Sequence, residues 1–124
     1  MKNINEALEN LVEAMKTDYV DWMTRCDLAR GNTELSDVSS SMIKDTDFEI
    51  SEGRSYYKIV KVDRAQRMCA GFVCKVANEK KGFEVGDLLM AAGWSAPATN
   101  FARGNIFDLE TAVNRGNVRW TGIL

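Results

Sequence analysis

The sequence predicts an α+β protein, with helices first and a mostly antiparallel sheet after them. Three observations carry this. Apolar and small residues recur every three or four positions from Ile4 to Ala29, the period of a helix. After Asp47 the period drops to two, and β-branched and aromatic residues become frequent. Polar and glycine-containing runs at 52–53, 63–66, 78–82 and 114–117 then break the chain into short lengths joined by turns.

The first helix is expected over residues 3–29. Ile4, Leu8, Leu11, Met15, Tyr19, Trp22, Cys26 and Ala29 keep one stripe, and Val12 and Met23 widen it. Gly31 is placed as its stop. At 1.5 Å per residue this helix is about 40 Å long, which suggests that part of it packs against another subunit. A second helix is expected over 33–44, with Thr33 as cap and Leu35, Val38 and Met42 as apolar contacts. The serines at 39–41 oppose it.

Phe48-Glu49-Ile50 opens the strand region. Residues 56–62 read as a strand, and 68–76 as the next, with Met68, Ala70, Phe72, Cys74 and Val76 on one face. Gly71, on the other face, marks a bulge or a close approach of another backbone. Strand pieces follow at 83–85 and 87–91. A short helix is expected near 96–103, capped by Ser95, with Pro97 in its first turn and Gly104 as its stop. Residues 105–108 and 118–121 are the last strand candidates. Residues 1–50 thus form a helical oligomerisation or interaction segment and 51–124 a β-rich domain bearing the ligand region, the two making one compact unit.

The 124 residues are 45% hydrophobic and 27% charged, an ordinary globular mixture. No apolar stretch approaches the roughly 20 residues of a membrane span, and no apolar signal-peptide core follows the first residues. A soluble, cytoplasmic protein with no membrane partner is expected. The absence of histidine excludes Ser-His, Cys-His and His-metal chemistry. Cys26, Cys69 and Cys74 lack metal-site spacing and read as reduced thiols. Neither metal nor cofactor is expected. Residues 1–50 hold five Lys/Arg against eleven Asp/Glu, net −6, and residues 51–124 hold eleven against seven, net +4. The second part therefore attracts an anionic ligand, or else the two parts attract each other.

The stretch 93–105 combines an aromatic plane, a helix start, an arginine and two asparagines. Trp94 can stack a base, and Ser95 begins a helix whose free N–H groups suit an anion. Asn100 and Asn105 can bond base edges or ribose, and Arg103 can pair with phosphate. These five are the candidate ligand-binding residues. Each also has a structural reading: Trp94 as core, Asn105 as a turn former, Arg103 as a partner of Asp108 or of an acid in the first helix. A second candidate patch is Tyr56, Tyr57, Lys58 and Lys61, since aromatics flanked by cations bind single-stranded nucleic acid. An overall pI of 5.2 opposes it, and Lys58 and Lys61, three apart on a strand, point to opposite faces.

Residues 53–124 resemble a group of small proteins encoded by tailed bacteriophages. The resemblance rests on Tyr56-Tyr57-Lys58-Ile59-Val60, Gly71-Phe72-Val73, Gly86-Asp87-Leu88-Leu89, Ala91-Ala92-Gly93-Trp94-Ser95-Ala96-Pro97-Ala98 and Ala102-Arg103-Gly104-Asn105-Ile106-Phe107. It implies a phage origin, a place in the host cytoplasm and little about chemistry. Where that group carries lysine, this chain has Met90 and Ser95, which weakens a basic site carried over from it.

The leading functional expectation is a phage-encoded, non-enzymatic binding protein. It would sequester a nucleotide-like anionic small molecule such as a host immune signal, and form a homo-oligomer through the N-terminal helix. The alternatives are an inhibitor of a host protein acting through the acidic helical segment, and a single-stranded nucleic-acid binder.

Overall fold

The computed structural model describes residues 3–124. Helix α1, Ile4–Ala29, begins at Asn3, whose side chain accepts hydrogen bonds from the N–H groups of Asn5 and Glu6. Helix α2, Asp37–Asp45, starts four residues later than expected. Its cap is Ser36, which accepts from the Ser39 N–H, and not Thr33. Ser36 holds that role because the buried Asp27 carboxylate accepts its backbone N–H at 3.0 Å and fixes the connection.

The sheet has four antiparallel strands in sequence order: β1 (Thr46–Glu52), β2 (Tyr56–Asp63), β3 (Gln66–Cys74) and β4 (Leu88–Leu89). On one face, Phe48, Tyr57, Ile59, Val73 and Leu88 form a core with Leu8, Leu11, Val12 and Met15 of α1. Both halves of the chain contribute to this core. On the opposite face, Phe72, Cys74, Leu89 and Phe83 form a smaller cluster with Tyr56, Cys69, Ala91 and Ala102 against it.

Two departures have clear causes. In the last turns of α1 the buried line runs through Met15, Tyr19, Met23 and Asp27, while Trp22 is 40% exposed. Steps of four wind the contact line round the helix, as packing on a twisted sheet requires. In β3 the pairing register slips opposite Ile59 and Val60, so Ala70 joins the helix-side core instead of the face of Phe72 and Cys74. Gly71 meets the expectation of a bulge, while the close neighbour is a side chain and not a second backbone. It lies at that bulge, and a Cβ there would come within 2.7 Å of the Ile123 side chain.

Ile123 belongs to a separate hairpin, β5 (Val118–Arg119) with β6 (Gly122–Ile123). The short helix expected near 96–103 is absent. Its backbone groups are engaged otherwise: Ala92 and Gly93 donate to the Ala96 carbonyl, Ala98 donates to Met90, and Ala91 bridges Pro97. Helical structure comes later, as a 3-10 turn over Ile106–Asp108 running into α3, Leu109–Asn114, where a strand was expected. Asn105, not Ser95, caps it. Among the described residues no helix is long and apolar enough to cross a membrane.

Candidate functional site

The site is built on the return that follows β4. After Leu89 the chain turns tightly, closed by the bonds to the Ala96 carbonyl at 2.9 and 3.2 Å and by Ala98 N–H to Met90 at 2.7 Å. It then runs back beside β4, with Arg103 N–H donating to Leu88, Leu88 N–H to Gly104 and Ile106 N–H to Gly86. Trp94 stands in the tight turn, half exposed. Strand alternation places Lys58, between the core residues Tyr57 and Ile59, on the sheet face away from α1. Its ammonium sits 3.4 Å from the centre of the Trp94 ring, a cation–π contact that fixes both groups.

Arg103 lies nine residues further on. Its guanidinium carbon is 4.0 Å from the centre of the exposed Phe101 ring. Its Nε is shielded from solvent and has no hydrogen-bond partner. Among the described residues no carboxylate lies within 4 Å of it, so neither Asp108 nor an acid of α1 is its partner.

The remaining candidates separate. Ser95 and Asn100 are exposed on the same return. With no helix beginning at Ser95, the helix-terminus argument for anion binding there falls away. Asn105 is committed internally: its amide donates to the Val85 carbonyl at 3.1 Å and to Asp87 at 3.0 Å, and its oxygen accepts the Phe107 N–H at 2.9 Å. Tyr56 is half-buried, edge-on to Phe72 at 5.9 Å. Its hydroxyl is pushed above the ordinary phenol value by burial and then by the Cys74 thiol. Tyr57 is buried in the helix-side core. Lys61 is on that same side, only 9% exposed, with its ammonium 4.2 Å from the Trp120 ring and 5.7 Å from that of Tyr19. Tyr56, Tyr57, Lys58 and Lys61 therefore do not form one surface.

One pattern was not visible beforehand. Of the cations in the described residues that are not fully exposed, Lys16 and Lys75 pair with carboxylates, Asp47 and Glu52. The others, Lys58, Lys61 and Arg103, have no carboxylate within 4 Å and rest on aromatic rings. Burial pushes the Lys61 amine below its ordinary value, against the opposing pull of Asp63. Among the described residues no group of three or more Cys, Asp or Glu is placed to hold a metal ion.

The fold and the site define a class: a small α+β domain with a long helix on one sheet face and an irregular return carrying Trp94, over the Lys58 ammonium, on the other. The chain belongs to a family of unknown function, DUF7717, whose model matches residues 1–124. No curated protein and no solved structure matches it.

Proposed function

We propose that this protein binds a nucleotide-like anion, without transforming it, at the return that follows β4, using Trp94 with Lys58 and Phe101 with Arg103. The observation that carries this reading is the Arg103 guanidinium. It is a planar fork of five donors, its central carbon 4.0 Å from the centre of the Phe101 ring, with a solvent-shielded Nε that has no acceptor. An unsatisfied shielded donor is costly, and a local shift of Arg103 that admits an anionic oxygen of a ligand to Nε would remove that cost. Trp94 and Phe101 offer flat apolar faces for a base, with Lys58 as a second positive charge. The absence of histidine favours holding a ligand over cleaving it. The resemblance of residues 53–124 to small phage proteins supplies the setting: a phage-encoded protein that withdraws a signalling nucleotide in the host cytoplasm.

The test is a thermal-shift panel of mononucleotides, dinucleotides and cyclic nucleotides. A ligand at 100 times its Kd stabilises by about 2.7 kcal/mol. Arg103→Gln and Trp94→Ala abolish that shift if the reading holds. No shift with any panel member, or an undiminished shift in both variants, overturns it.

A second reading has its own observation. Glu6, Glu9, Glu13 and Asp21 are exposed on α1, and none has an ion-pair partner within 4 Å among the described residues. This acidic face fits a basic surface on a host protein. A capture experiment in which reversing Glu6, Glu9 and Glu13 to lysine leaves the bound protein unchanged removes that reading.

A further inference from the structure

The last three turns of α1 carry a stripe that the fold uses at Asp18 and behind Trp22 but otherwise leaves open. Asp21, Arg25 and Leu28 follow one another at helical spacing, with Asp18 and Trp22 on the adjoining row. Trp22 is 40% exposed and Leu28 57%. Trp22 is held in place from behind, its ring centre 4.9 Å from that of Trp120. Beside it Asp18, Asp21, Thr24, Arg25 and Arg119 line an open groove of about 470 Å³. Asp18 is engaged by Arg119 at 3.6 Å. Asp21 and Arg25 are exposed, and neither has an ion-pair partner within 4 Å among the described residues.

We infer that this stripe is the contact surface for a second copy of the chain, lying antiparallel across α1. The charge order selects that partner. Along the stripe the acids precede Trp22 and the base follows it. A two-fold axis level with residue 23 sets Asp21 opposite Arg25 of the second copy, and Arg25 opposite that copy's Asp21. Moving the axis to midway between residues 21 and 22, a three-residue register shift, brings Arg25 to face Asp18 instead. A parallel arrangement would set Arg25 against Arg25. An isologous contact is self-complementary by construction, and this pattern of exposed, unpaired, opposite charges around an anchored indole meets that requirement. Aromatic anchors ringed by charges are the common core-and-rim arrangement of such contacts.

The experiment is sedimentation velocity on the full chain over a wide concentration range. The wild type is expected to be dimeric. Arg25→Asp and Asp21→Arg, each at an exposed position that spares the core, raise the dimer dissociation constant on the order of tenfold or more by placing like charges together. The double variant, Asp21→Arg with Arg25→Asp, restores the dimer. Trp22→Ala weakens it, with circular dichroism verifying that the helix is intact. A wild type that stays monomeric throughout overturns the inference and leaves the stripe to a foreign protein. So does a dimer that both single reversals leave unchanged, or a double swap that fails to rescue.

Discussion

The Asp18 carboxylate accepts a hydrogen bond from the Trp120 backbone N–H at 2.8 Å, joining residues 102 positions apart in sequence. It ties α1 to the turn of the last hairpin. It also holds Trp120 where its ring meets Tyr19, Trp22 and the Lys61 ammonium.

Removing that carboxylate leaves the Trp120 N–H without its acceptor. Asp18→Ala is expected to lower unfolding stability by about 1.5–3 kcal/mol, the range for a hydrogen bond to a charged group. Asp18→Asn, which keeps an acceptor, loses about half as much. Urea unfolding at neutral pH measures both. Equal stability of Asp18→Ala and the wild type would show that the hairpin is held by its apolar contacts alone.

The same hairpin has a steric limit at Gly122. Its φ is +138°, and an added Cβ would lie 2.6 Å from the Ala70 carbonyl oxygen, which is backbone and cannot rotate away. Gly122→Ala therefore forces the hairpin off β3 and costs about 2–3 kcal/mol. Denaturant unfolding and the emission of the neighbouring Trp120 report it together. An unchanged midpoint rules out the clash.

Asp27 controls the acid limb of stability. Its carboxyl is held below the usual value of 3.8, first by the Ser36 backbone N–H, then by Ser39, Asn32 and Arg30, against the opposing effect of burial. The unfolded chain therefore takes up this proton at higher pH than the native chain does. The resulting stability is complete above 3.8 and is lost as pH falls through the lower native value. Asp47, lowered chiefly by Lys16, acts in the same direction. Asp27→Asn should flatten, without abolishing, the fall in melting temperature between pH 5 and pH 2. A slope equal to that of the wild type would contradict this.

The three thiols should separate by reactivity. Cys74 is buried, and burial followed by the Asp87 charge pushes its pKa up to about 11. Cys69 is half-buried and also raised, mainly by burial. Since the thiolate is the reactive form, a thiol reagent at pH 8 should modify Cys26 first, Cys69 slowly and Cys74 only after unfolding. Peptide mapping of the alkylated protein shows the order. Early labelling of Cys74 in the native protein would refute it.

For the proposed ligand surface, Trp94→Ala offers the cleanest separation of binding from folding. The ring is half exposed, so its loss should change stability by no more than the roughly 0.5–1 kcal/mol of an exposed cation–π contact. Anion binding should nevertheless disappear. A large drop in stability would mean that Trp94 serves the fold.

The sequence by itself determined the helices-then-sheet order, the long first helix, the β2–β3 hairpin and the special status of Gly71. Each of these follows from a local period or from a residue whose backbone or size admits few alternatives. It also singled out Trp94 and Arg103 by their company in a short stretch. Tertiary structure alone decided that residues 96–103, expected as a helix, belong to a return beside β4, because backbone groups there found partners across the turn and along β4. It also decided that Asn105 caps the turn at Ile106, that Lys58 and Lys61 rest on rings contributed by other parts of the chain, and that Arg103 rests on the ring of nearby Phe101 instead of pairing with a carboxylate. Cation–ring contacts between residues as far apart as Lys61 and Trp120 leave no trace in spacing or composition. They depend on how the sheet twists and where the last hairpin lands, and those are set by the packing of the whole chain.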